Sequence, residues 1–268
     1  MADSQVPFLA PPKRNVLKLL TLARDIRRRK ARERQQLFAA EGIRAVEELL
    51  RSDIRVHGAL VNGRLRETAR GEALRSGLHD AGIDVLEVDD ADFESAAETE
   101  TPQGILAIAR IPDISLDSLQ LGARARIVVL DGVQDPGNVG TIIRTAAALG
   151  TSAVVAMPGT VDLWNAKVVR SGMGANFHFP VLSAEWEALD VIRQSHGLAV
   201  WGTDAAGALL ETLAVPECLA LVAGNEGAGL SEDARRRVDT LVALPIGETV
   251  ESLNVAVATG IFLYQLRP

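Results

Sequence analysis

The chain has 268 residues, of which 47% are hydrophobic and 24% charged, a composition typical of a folded protein and too rich in aliphatic side chains for a disordered one. No apolar run approaches the ~18 residues that a membrane-spanning helix requires. The N-terminus lacks the basic start, apolar stretch and cleavage site of a secretory signal, so we expect a cytoplasmic protein. One cysteine and four histidines exclude a disulfide framework and predict no metal site.

The net charge of −7 is unevenly distributed along the chain. Residues 1–34 carry ten basic and three acidic side chains, a net charge of +7, which leaves −14 for the other residues. The overall charge argues against nucleic acid as a partner, because neutralising phosphates requires Lys and Arg. A basic segment on an acidic body is nevertheless typical of an arm that binds RNA or a membrane surface. A solvated helix face is the alternative interpretation of this segment.

The first part of the chain predicts a small α/β unit. Hydrophobic spacing predicts helices over 16–26, 43–50 and 72–78 and strands over 56–61, 85–88 and 105–111. Residues 112–125 have the turn-forming and polar content of a linker. We therefore expect a basic helical arm at 1–34, an α/β domain at 35–111 and a linker at 112–125.

The second part of the chain, residues 126–268, predicts a larger α/β domain. Its strands are continuous apolar runs interleaved with helices, which indicates a parallel sheet covered on both faces. The predicted strands are 127–130, 153–157, 177–182, 198–201, 219–223 and 241–244, and the predicted helices are 138–149, 165–171, 184–194, 231–238 and 252–266. The last helix is apolar nearly all round, so we expect it to be buried in the domain or at a subunit contact.

The common signatures of α/β enzymes are missing from this domain. No Gly-x-Gly-x-x-Gly follows the first strand, no Gly-x-x-x-x-Gly-Lys-Ser/Thr occurs, and no Gly-x-Ser-x-Gly is present. These absences argue against a Rossmann dinucleotide fold, a P-loop nucleotidase and an α/β-hydrolase. Instead, three polar, glycine-bearing loops follow predicted strands, and ligands of open α/β sheets bind at such strand ends.

The first of these loops covers 131–140 and leads into a helix for which Asn138 is a suitable N-cap. Arg144 lies away from the apolar face of that helix and therefore faces either solvent or a polar site. The second loop, 224–231, has three glycines, which suit close approach of a ligand or simply a tight turn. Within it, Asn225 and Glu226 place an amide and a carboxylate at the strand end.

The third loop, 244–254, carries Ser252 and Asn254 at the start of the apolar last helix. Helix capping explains one of these polar side chains more readily than both.

In combination the three loops are distinctive. The loops contain three patterns: Asn138-x-Gly140-x-x-x-Arg144, then Gly224-Asn225-Glu226-Gly227-x-Gly229, then Pro245-x-x-Gly247 with Ser252-Leu253-Asn254-Val255. Over about residues 126–266, these patterns resemble the three motifs of the SpoU/TrmH family of RNA ribose 2′-O-methyltransferases. A looser resemblance covers about residues 35–110 and is carried by Phe38-Ala39-Ala40-Glu41-Gly42 and Thr101-Pro102-Gln103-Gly104. It is to the family's N-terminal RNA-substrate-binding domain, which has a ribosomal-protein-like α/β fold.

The resemblance implies a SPOUT-type domain at 126–268 with a deep trefoil knot, and S-adenosylmethionine as the cofactor. The residues expected to hold the cofactor are Gly224, Leu244, Ile246, Leu253, Thr203 and Asn254. It also implies a homodimer in which the partner subunit completes each active site.

The resemblance further implies that Arg144 is essential and that the other residues orient the reacting groups. The expected catalytic set is Arg144, Asn138, Glu226, Ser252 and Asn254. Because an arginine is normally always charged, Arg144 is either a base or a clamp for phosphate and the transition state. The residues expected to contact RNA are Arg27, Arg28, Arg29, Lys30, Glu41 and Gln103.

The leading hypothesis is therefore an enzyme that methylates structured RNA, with large-subunit rRNA favoured over tRNA because many rRNA-modifying members carry a separate substrate domain. Antibiotic-resistance methylation of rRNA is a variant of the same activity. A non-catalytic RNA-binding or ribosome-assembly factor is the rival from another class, although the intact motifs argue against it. A small-molecule methyltransferase is the third alternative.

Overall fold

A computed structural model describes residues 13–247 and 249–267 of the chain. The chain divides into two compact units, Met1–Ile111 and Pro112–Pro268. Residues 1–12 of the predicted arm lie outside the described residues. Within the described ranges, every helix is too short or too polar to cross a membrane.

The first unit is a four-stranded sheet with helices packed against it. Its elements are α1 (Lys13–Asp25), α2 (Arg29–Gln35), β1 (Leu37–Glu41), α3 (Ile43–Leu50), β2 (Val56–Val61), α4 (Ala69–Asp80), β3 (Val85–Glu87), α5 (Asp90–Ala96) and β4 (Ile105–Arg110). The strand order is β1-β4-β2-β3, with β4 antiparallel to both of its neighbours. The predicted helices and strands are present, and β1, α2 and α5 are additional.

The described part of the basic segment, from Lys13 onward, contributes to the core of this unit. Leu20, Ala23 and Ile26 are buried in one cluster with residues of β2, β4 and α5, including Leu60 and Phe93. The apolar stripe that begins on α1 thus covers one face of the sheet, while Lys18 and Arg24 are exposed. The predicted boundary between an arm at 1–34 and a domain at 35–111 is therefore wrong for the described part of that segment.

The second unit contains a parallel sheet with helices on both faces, as predicted. Its elements are β5 (Arg126–Asp131), α6 (Pro136–Ala148), β6 (Ala153–Ala156), α7 (Ala166–Ser171), β7 (Val181–Ser183), α8 (Trp186–His196), β8 (Ala199–Leu209), β9 (Leu219–Gly224), α9 (Glu232–Arg237), β10 (Thr240–Ala243) and α10 (Val255–Leu266). Among the described residues six strands pair in the order β10-β8-β9-β5-β6-β7. The carboxyl ends of β5, β9 and β10 carry the three glycine-bearing loops.

Some elements differ from their predicted bounds. Residues Ala175–Phe177 form a 3₁₀ turn where the sequence predicted the start of a strand, so β7 begins only at Val181. Strand β8 continues to Leu209, well past the predicted end at 201. In the predicted linker, Leu116 is buried against the core of the second unit.

Glycine allows the first motif helix to approach its neighbour closely. A Cβ atom at Gly140 would lie 2.5 Å from the Cβ of Ser171 and 2.6 Å from the carbonyl oxygen of Val168, both on α7. On the same helix, Thr145 packs against Gly260 of α10, where a Cβ would lie at 3.5 Å. Helix α6 is therefore held between α7 and α10, and the motif glycine at 140 has a packing role.

Helix α10 is only half buried in the single chain. Complete burial within the domain, one of the two predicted alternatives, is therefore wrong. The buried residues of the helix are Ala256, Thr259, Phe262, Leu263 and Leu266. Val257, Ile261 and Tyr264 form an exposed apolar face, with 53%, 38% and 58% of their surface accessible. At the end of the helix, the buried Arg126 side chain donates to the carbonyl oxygen of Leu266 at 2.7 Å and fixes the helix to the start of β5.

Candidate functional site

The second and third glycine-bearing loops, together with part of β8, line a cavity of about 550 Å³ in the second unit. All six residues predicted to hold a cofactor line this cavity, namely Thr203, Gly224, Leu244, Ile246, Leu253 and Asn254. The predicted catalytic residues Glu226 and Ser252 also line it.

A chain of hydrogen bonds joins the three motifs. The Asn254 Nδ2 donates to the Asn138 Oδ1 at 2.9 Å, and the Asn138 Nδ2 donates to the Glu226 Oε1 at 3.0 Å. The Glu226 carboxylate also accepts from the backbone amides of Gln134 and Asp135 at 3.3 and 3.2 Å. The first of these bonds joins Asn254 to Asn138, 116 positions apart, and the second joins Asn138 to Glu226, 88 positions apart. They fix the loops to one another across the ends of the strands.

Asn138 is free for this contact because it is not the helix cap, and that prediction was wrong. Asp135 is the N-cap of α6: its side chain accepts from the Asn138 amide at 2.8 Å, and Pro136 occupies the first turn. The Asp-Pro pair in the sequence is a signal for this start, since proline at the first helical position is favoured. The Asn138 side chain therefore points to the neighbouring loops instead of to its own backbone.

Asn254 both caps the last helix and takes part in the hydrogen bonds of the site. Its Oδ1 caps α10 by accepting from the amides of Ala256 and Val257 at 2.9 and 3.2 Å, while its Nδ2 donates to Asn138. The helix begins at Val255, so Ser252 lies in the loop and the predicted helix start at 252 was wrong. One asparagine thus couples the formation of the last helix to the geometry of the site.

The glycines of the second loop form a tight turn. The Asn225 Oδ1 accepts from the amides of Gly227 and Ala228 at 2.9 Å, and the backbones of Asn225 and Gly229 exchange hydrogen bonds. A Cβ at Gly224 would lie 2.5 Å from the carbonyl carbon of Gly229. Gly224, which has no room for a Cβ, and Gly229, whose φ is +67°, are therefore required by the turn, which holds Glu226 against the first loop.

Hydrogen bonding keeps the Glu226 carboxylate ionised. Burial raises the pKa of Glu226, but the hydrogen bonds from the Asn138 side chain and from backbone amides outweigh burial and leave the pKa below its ordinary value. An acid with a lowered pKa is a weak proton acceptor at neutral pH. The geometry therefore favours an orienting role for Glu226 over a role as general base.

The lowered pKa predicts how Glu226 contributes to stability. Because the folded pKa is depressed, the contribution is complete above the unfolded value of about 4.3 and is lost as the pH falls through the folded pKa. Glu226→Gln should therefore be less stable than the native chain at pH 7, and the difference should disappear in acid. Urea unfolding of both chains across this pH range measures the difference. An exposed control, Glu211→Gln, should show no such trend, and a Glu226 difference that is constant with pH would contradict the assignment.

Arg144 is not brought into the cavity of its own chain. It is exposed on α6, it is absent from the described cavity lining, and no hydrogen bond or ion pair to it occurs among the described residues. Its neighbour Thr145 packs against Gly260 of α10. Asn138 is also absent from the lining, but unlike Arg144 it is hydrogen-bonded to two residues that line the cavity.

Asp204 lines the cavity and was not among the predicted site residues, because it belongs to none of the three motifs. It lies in the unpredicted extension of β8, where it accepts from the Ala206 amide at 3.0 Å and pairs with Arg235 at 2.7 Å. Both contacts hold the pKa of Asp204 below its ordinary value, and the hydrogen bond from the Ala206 amide has the larger effect. The ion pair fixes the wall of the cavity formed by β8 to α9.

The cavity suits the cofactor that the motifs imply. Its volume is within the roughly 300–1,000 Å³ of typical cofactor sites. Apolar Leu244 and Leu253 face the same space as the Gly224 backbone and Thr203, which would give a flat base an apolar contact and a sugar polar partners. These residues fit S-adenosylmethionine.

In the first unit, the two segments that carry the looser resemblance lie side by side. Gln103 accepts from the Ile43 amide at 2.9 Å, at the start of α3. The Glu41 carboxylate is buried and accepts from the Glu98 amide at 2.8 Å and from the Thr99 hydroxyl. Because its oxygens are occupied inside the unit, Glu41 positions the loop before β4, and its predicted contact with RNA is not supported.

The other predicted RNA contacts are largely engaged within the unit. Arg28 pairs with Asp25 and Arg29 pairs with Glu33 on the same surface, and Arg27 donates to the Ser95 carbonyl at 2.9 Å. Lys30 is exposed. The contact of these side chains with RNA stays a prediction.

Comparison with known proteins identifies related chains for both units. Residues 125–264 match the SpoU rRNA Methylase family and residues 21–107 match the MRM3-like substrate binding domain. The chain is 37% identical to the 23S rRNA (guanosine(2553)-2′-O)-methyltransferase RlmP of Bacillus subtilis (strain 168) over 89% of this chain and 92% of that protein.

Two solved structures have the same fold. An AdoMet-bound rRNA methyltransferase from Sinorhizobium meliloti is 29% identical, with a TM-score of 0.81 and coverage of 93% of this chain and 94% of that one. The SpoU methyltransferase AviRb from Streptomyces viridochromogenes in complex with AdoMet is 26% identical, with a TM-score of 0.84 and coverage of 92% and 96%. With three linked motifs, a fitting cavity and a family match over more than half of its length, the chain belongs to the SpoU rRNA methylase family.

Proposed function

We propose that the protein transfers a methyl group from S-adenosylmethionine to a ribose 2′-hydroxyl of large-subunit rRNA. The observation that carries the proposal is the hydrogen-bonded chain from Asn254 through Asn138 to Glu226, which joins the three family motifs and has both of its ends in the lining of one cavity. The names of the related proteins, which are rRNA methyltransferases, favour rRNA over tRNA. The cytoplasm, where such RNA is found, is the expected place of action.

In this reaction, bound S-adenosylmethionine supplies an electrophilic methyl group on a positively charged sulfur. Leu244 and Leu253 hold the apolar part of the cofactor, and the linked loops keep the cavity in one shape. The ribose hydroxyl is a poor nucleophile, so its position matters more than its basicity. This division of roles needs no strong base from Glu226, whose pKa is lowered.

Arg144 acts on the substrate as a cation. A guanidinium keeps its charge in proteins and binds phosphate through two parallel hydrogen bonds. Arg144 would therefore hold the phosphate next to the target ribose, and the hydroxyl proton would leave to a phosphate oxygen or to water beside it. Of the two roles left open by the sequence, the clamp is the one we propose.

The proposal includes a homodimer formed through α10. Val257, Ile261 and Tyr264 are spaced by four and three residues and give the helix an exposed apolar stripe, which suits a subunit contact. A two-fold contact there would bring Arg144 of one chain towards the other subunit, in agreement with its absence from the cavity of its own chain.

We predict that Ile261→Asp combined with Tyr264→Asp gives a monomer that has lost most of its methyl transfer, because burying two carboxylates at the contact is unfavourable. Analytical ultracentrifugation measures the mass, and methylation of rRNA measures the activity. Val191→Asp is the matched control, since Val191 is 64% exposed on α8, away from this surface. A double variant that remains dimeric would contradict the assigned contact.

The trefoil knot is also part of the proposal. It is supported by the family resemblance and by the way in which loop 244–254 is fixed to the first loop, which is itself fixed to the second. Knots are rare exceptions among protein topologies, so neither the hydrophobic pattern nor the strand order alone would suggest one.

Mapping of ribose methylation in total rRNA and tRNA, with and without the gene, tests the function directly. Loss of one 23S rRNA methylation supports the proposal, and loss in tRNA supports the tRNA alternative instead. No change at any site would refute an RNA methyltransferase. Calorimetry with S-adenosylmethionine separates the non-catalytic alternative, for which no cofactor binding is expected.

A further inference from the structure

We infer that the first unit binds rRNA phosphates through Arg34, Arg55 and Arg110, named here the arginine edge. The inference rests on the proposed function and adds to it the surface that contacts the RNA. Arg34 was counted in the basic segment 1–34 but not among the predicted RNA contacts, and Arg55 and Arg110 belong to no motif.

The backbone brings the three arginines to one end of the sheet. The Arg110 amide at the end of β4 donates to the Arg55 carbonyl at 3.0 Å, just before β2. On the other side of β4, Arg110 is paired with Leu37, and the Ile111 amide donates to the Gln36 carbonyl at 2.9 Å. Arg34 is two residues before Gln36, in the last turn of α2. Three strongly basic side chains therefore start from neighbouring positions.

These arginines differ from most others in the unit by having no acidic partner. All three are exposed, and no ion pair to them occurs among the described residues. Eight other arginines of the unit are ion-paired, in Arg24–Asp92, Arg28–Asp25, Arg29–Glu33, Arg51–Glu48, Arg64–Glu94, Arg66–Glu87, Arg70–Glu47 and Arg75–Glu87. Asp53 and Asp84 are near this end in the sequence, but neither forms an ion pair with the arginine edge.

Unpaired like charges at adjacent strand positions repel one another, so an anion between them is favourable. Guanidinium groups match phosphate oxygens in a bidentate geometry, which makes a nucleic-acid backbone the fitting partner. The chain as a whole has a net charge of −7, so three arginines without a described ion pair at one end of the sheet form a local positive surface on an acidic protein. The chemistry of the arginine edge is thus that of a phosphate-binding surface.

The opposite end of the same sheet carries an excess of carboxylates. There Arg64 is neutralised by Glu94, the Asn62 side chain donates to Asp90, and Glu98 and Glu100 follow α5. Arg44 is the exposed arginine at that end without a described ion pair. The excess of carboxylates would repel phosphate, so we assign the RNA contact to the arginine edge.

The test compares two full-length triple variants that remove the same charge. The edge variant is Arg34→Gln, Arg55→Gln and Arg110→Gln. The control is Arg66→Gln, Arg70→Gln and Arg75→Gln, whose arginines are ion-paired. The probe is 23S rRNA from cells that lack the gene, and filter binding is measured across a range of KCl concentrations.

For the edge variant we expect binding to weaken by about 10- to 100-fold at ~0.15 M salt, and the slope of log affinity against log salt to fall by about 2–3, one for each lost phosphate contact. The control should change less than about threefold. The corresponding Arg→Lys triple keeps the charges, so it should keep most of the slope, which separates loss of contact from misfolding. S-adenosylmethionine affinity should be equal in all variants.

An edge variant with native affinity and slope would overturn the inference, as would a loss no larger than that of the control. A larger loss in Arg44→Gln than in the edge variant would place the RNA at the opposite end and would also overturn it. In each of these cases methylation mapping of the native protein still decides the proposed function separately.

Discussion

Arg144→Ala should lower methyl transfer to rRNA by about 10²- to 10³-fold, the effect of removing one charged group that stabilises a transition state. Its affinity for S-adenosylmethionine should be unchanged, because Arg144 does not line the described cavity. Stability should also be unchanged, since the side chain is exposed. Single-turnover methylation and calorimetry measure the two quantities. Arg144→Lys should recover little, because lysine lacks the planar fork.

The control for this result is Arg124→Ala, which removes another exposed arginine of the second unit. Full activity of Arg144→Ala would contradict the clamp role. A parallel loss of cofactor affinity would show that Arg144 acts through the cavity and not on the RNA.

Mixing two inactive variants tests which subunit supplies Arg144. Leu253→Asp should block the cavity, because Leu253 lines it, while Arg144→Ala leaves the cavity intact. If the partner subunit supplies the arginine, mixed dimers contain one complete site, and an equal mixture should recover about a quarter of the native activity. A mixture that stays inactive would show that Arg144 serves the cavity of its own chain.

Arg126→Ala should destabilise the protein by about 3–5 kcal/mol, because it leaves buried carbonyl groups without donors. Arg126 is buried, with 4% of its surface accessible. Its guanidinium donates to the carbonyls of Ala125, Glu217 and Leu266. These carbonyls belong to the start of β5, the segment before β9 and the end of α10. Chemical denaturation measures the loss of unfolding free energy.

Arg126→Lys should restore only part of the stability, since one ammonium cannot reach three carbonyls in the same geometry. The neighbouring exposed Arg124→Ala is the control and should change the stability by less than ~0.5 kcal/mol. A loss below about 1 kcal/mol for Arg126→Ala would contradict the anchoring role of this side chain.

The sheet of the second unit was predictable because its strands are continuous apolar runs, which only a doubly covered parallel sheet accommodates. The site was predictable to the level of its loops and lining residues, because polar residues at strand ends are few. Its internal contacts were not. The Asp135-Pro136 pair signals the start of α6, but the sequence does not show that Asn138, which this cap leaves free, links Glu226 with Asn254.

The first unit shows where sequence reasoning was misled. The basic residues of 1–34 suggested an exposed arm, yet the apolar stripe of α1 at Leu20, Ala23 and Ile26 made the segment part of a core. Helix α5 was missed because its seven residues are mostly acidic or small, and a short polar helix has no periodic signal. The arginine edge was missed because strand pairing, not sequence proximity, brings its members together.

The double role of Asn254 has a consequence for the order in which the protein becomes active. Asn254 caps α10 and also completes the hydrogen-bonded chain to Glu226, and Arg126 holds the far end of α10. During translation, residues 254–266 are made after everything else that forms the site. A nascent or prematurely terminated chain without them can neither cap the helix nor lock the loops. The site of this methyltransferase can therefore form only after residue 254 and the helix that follows it have been synthesised.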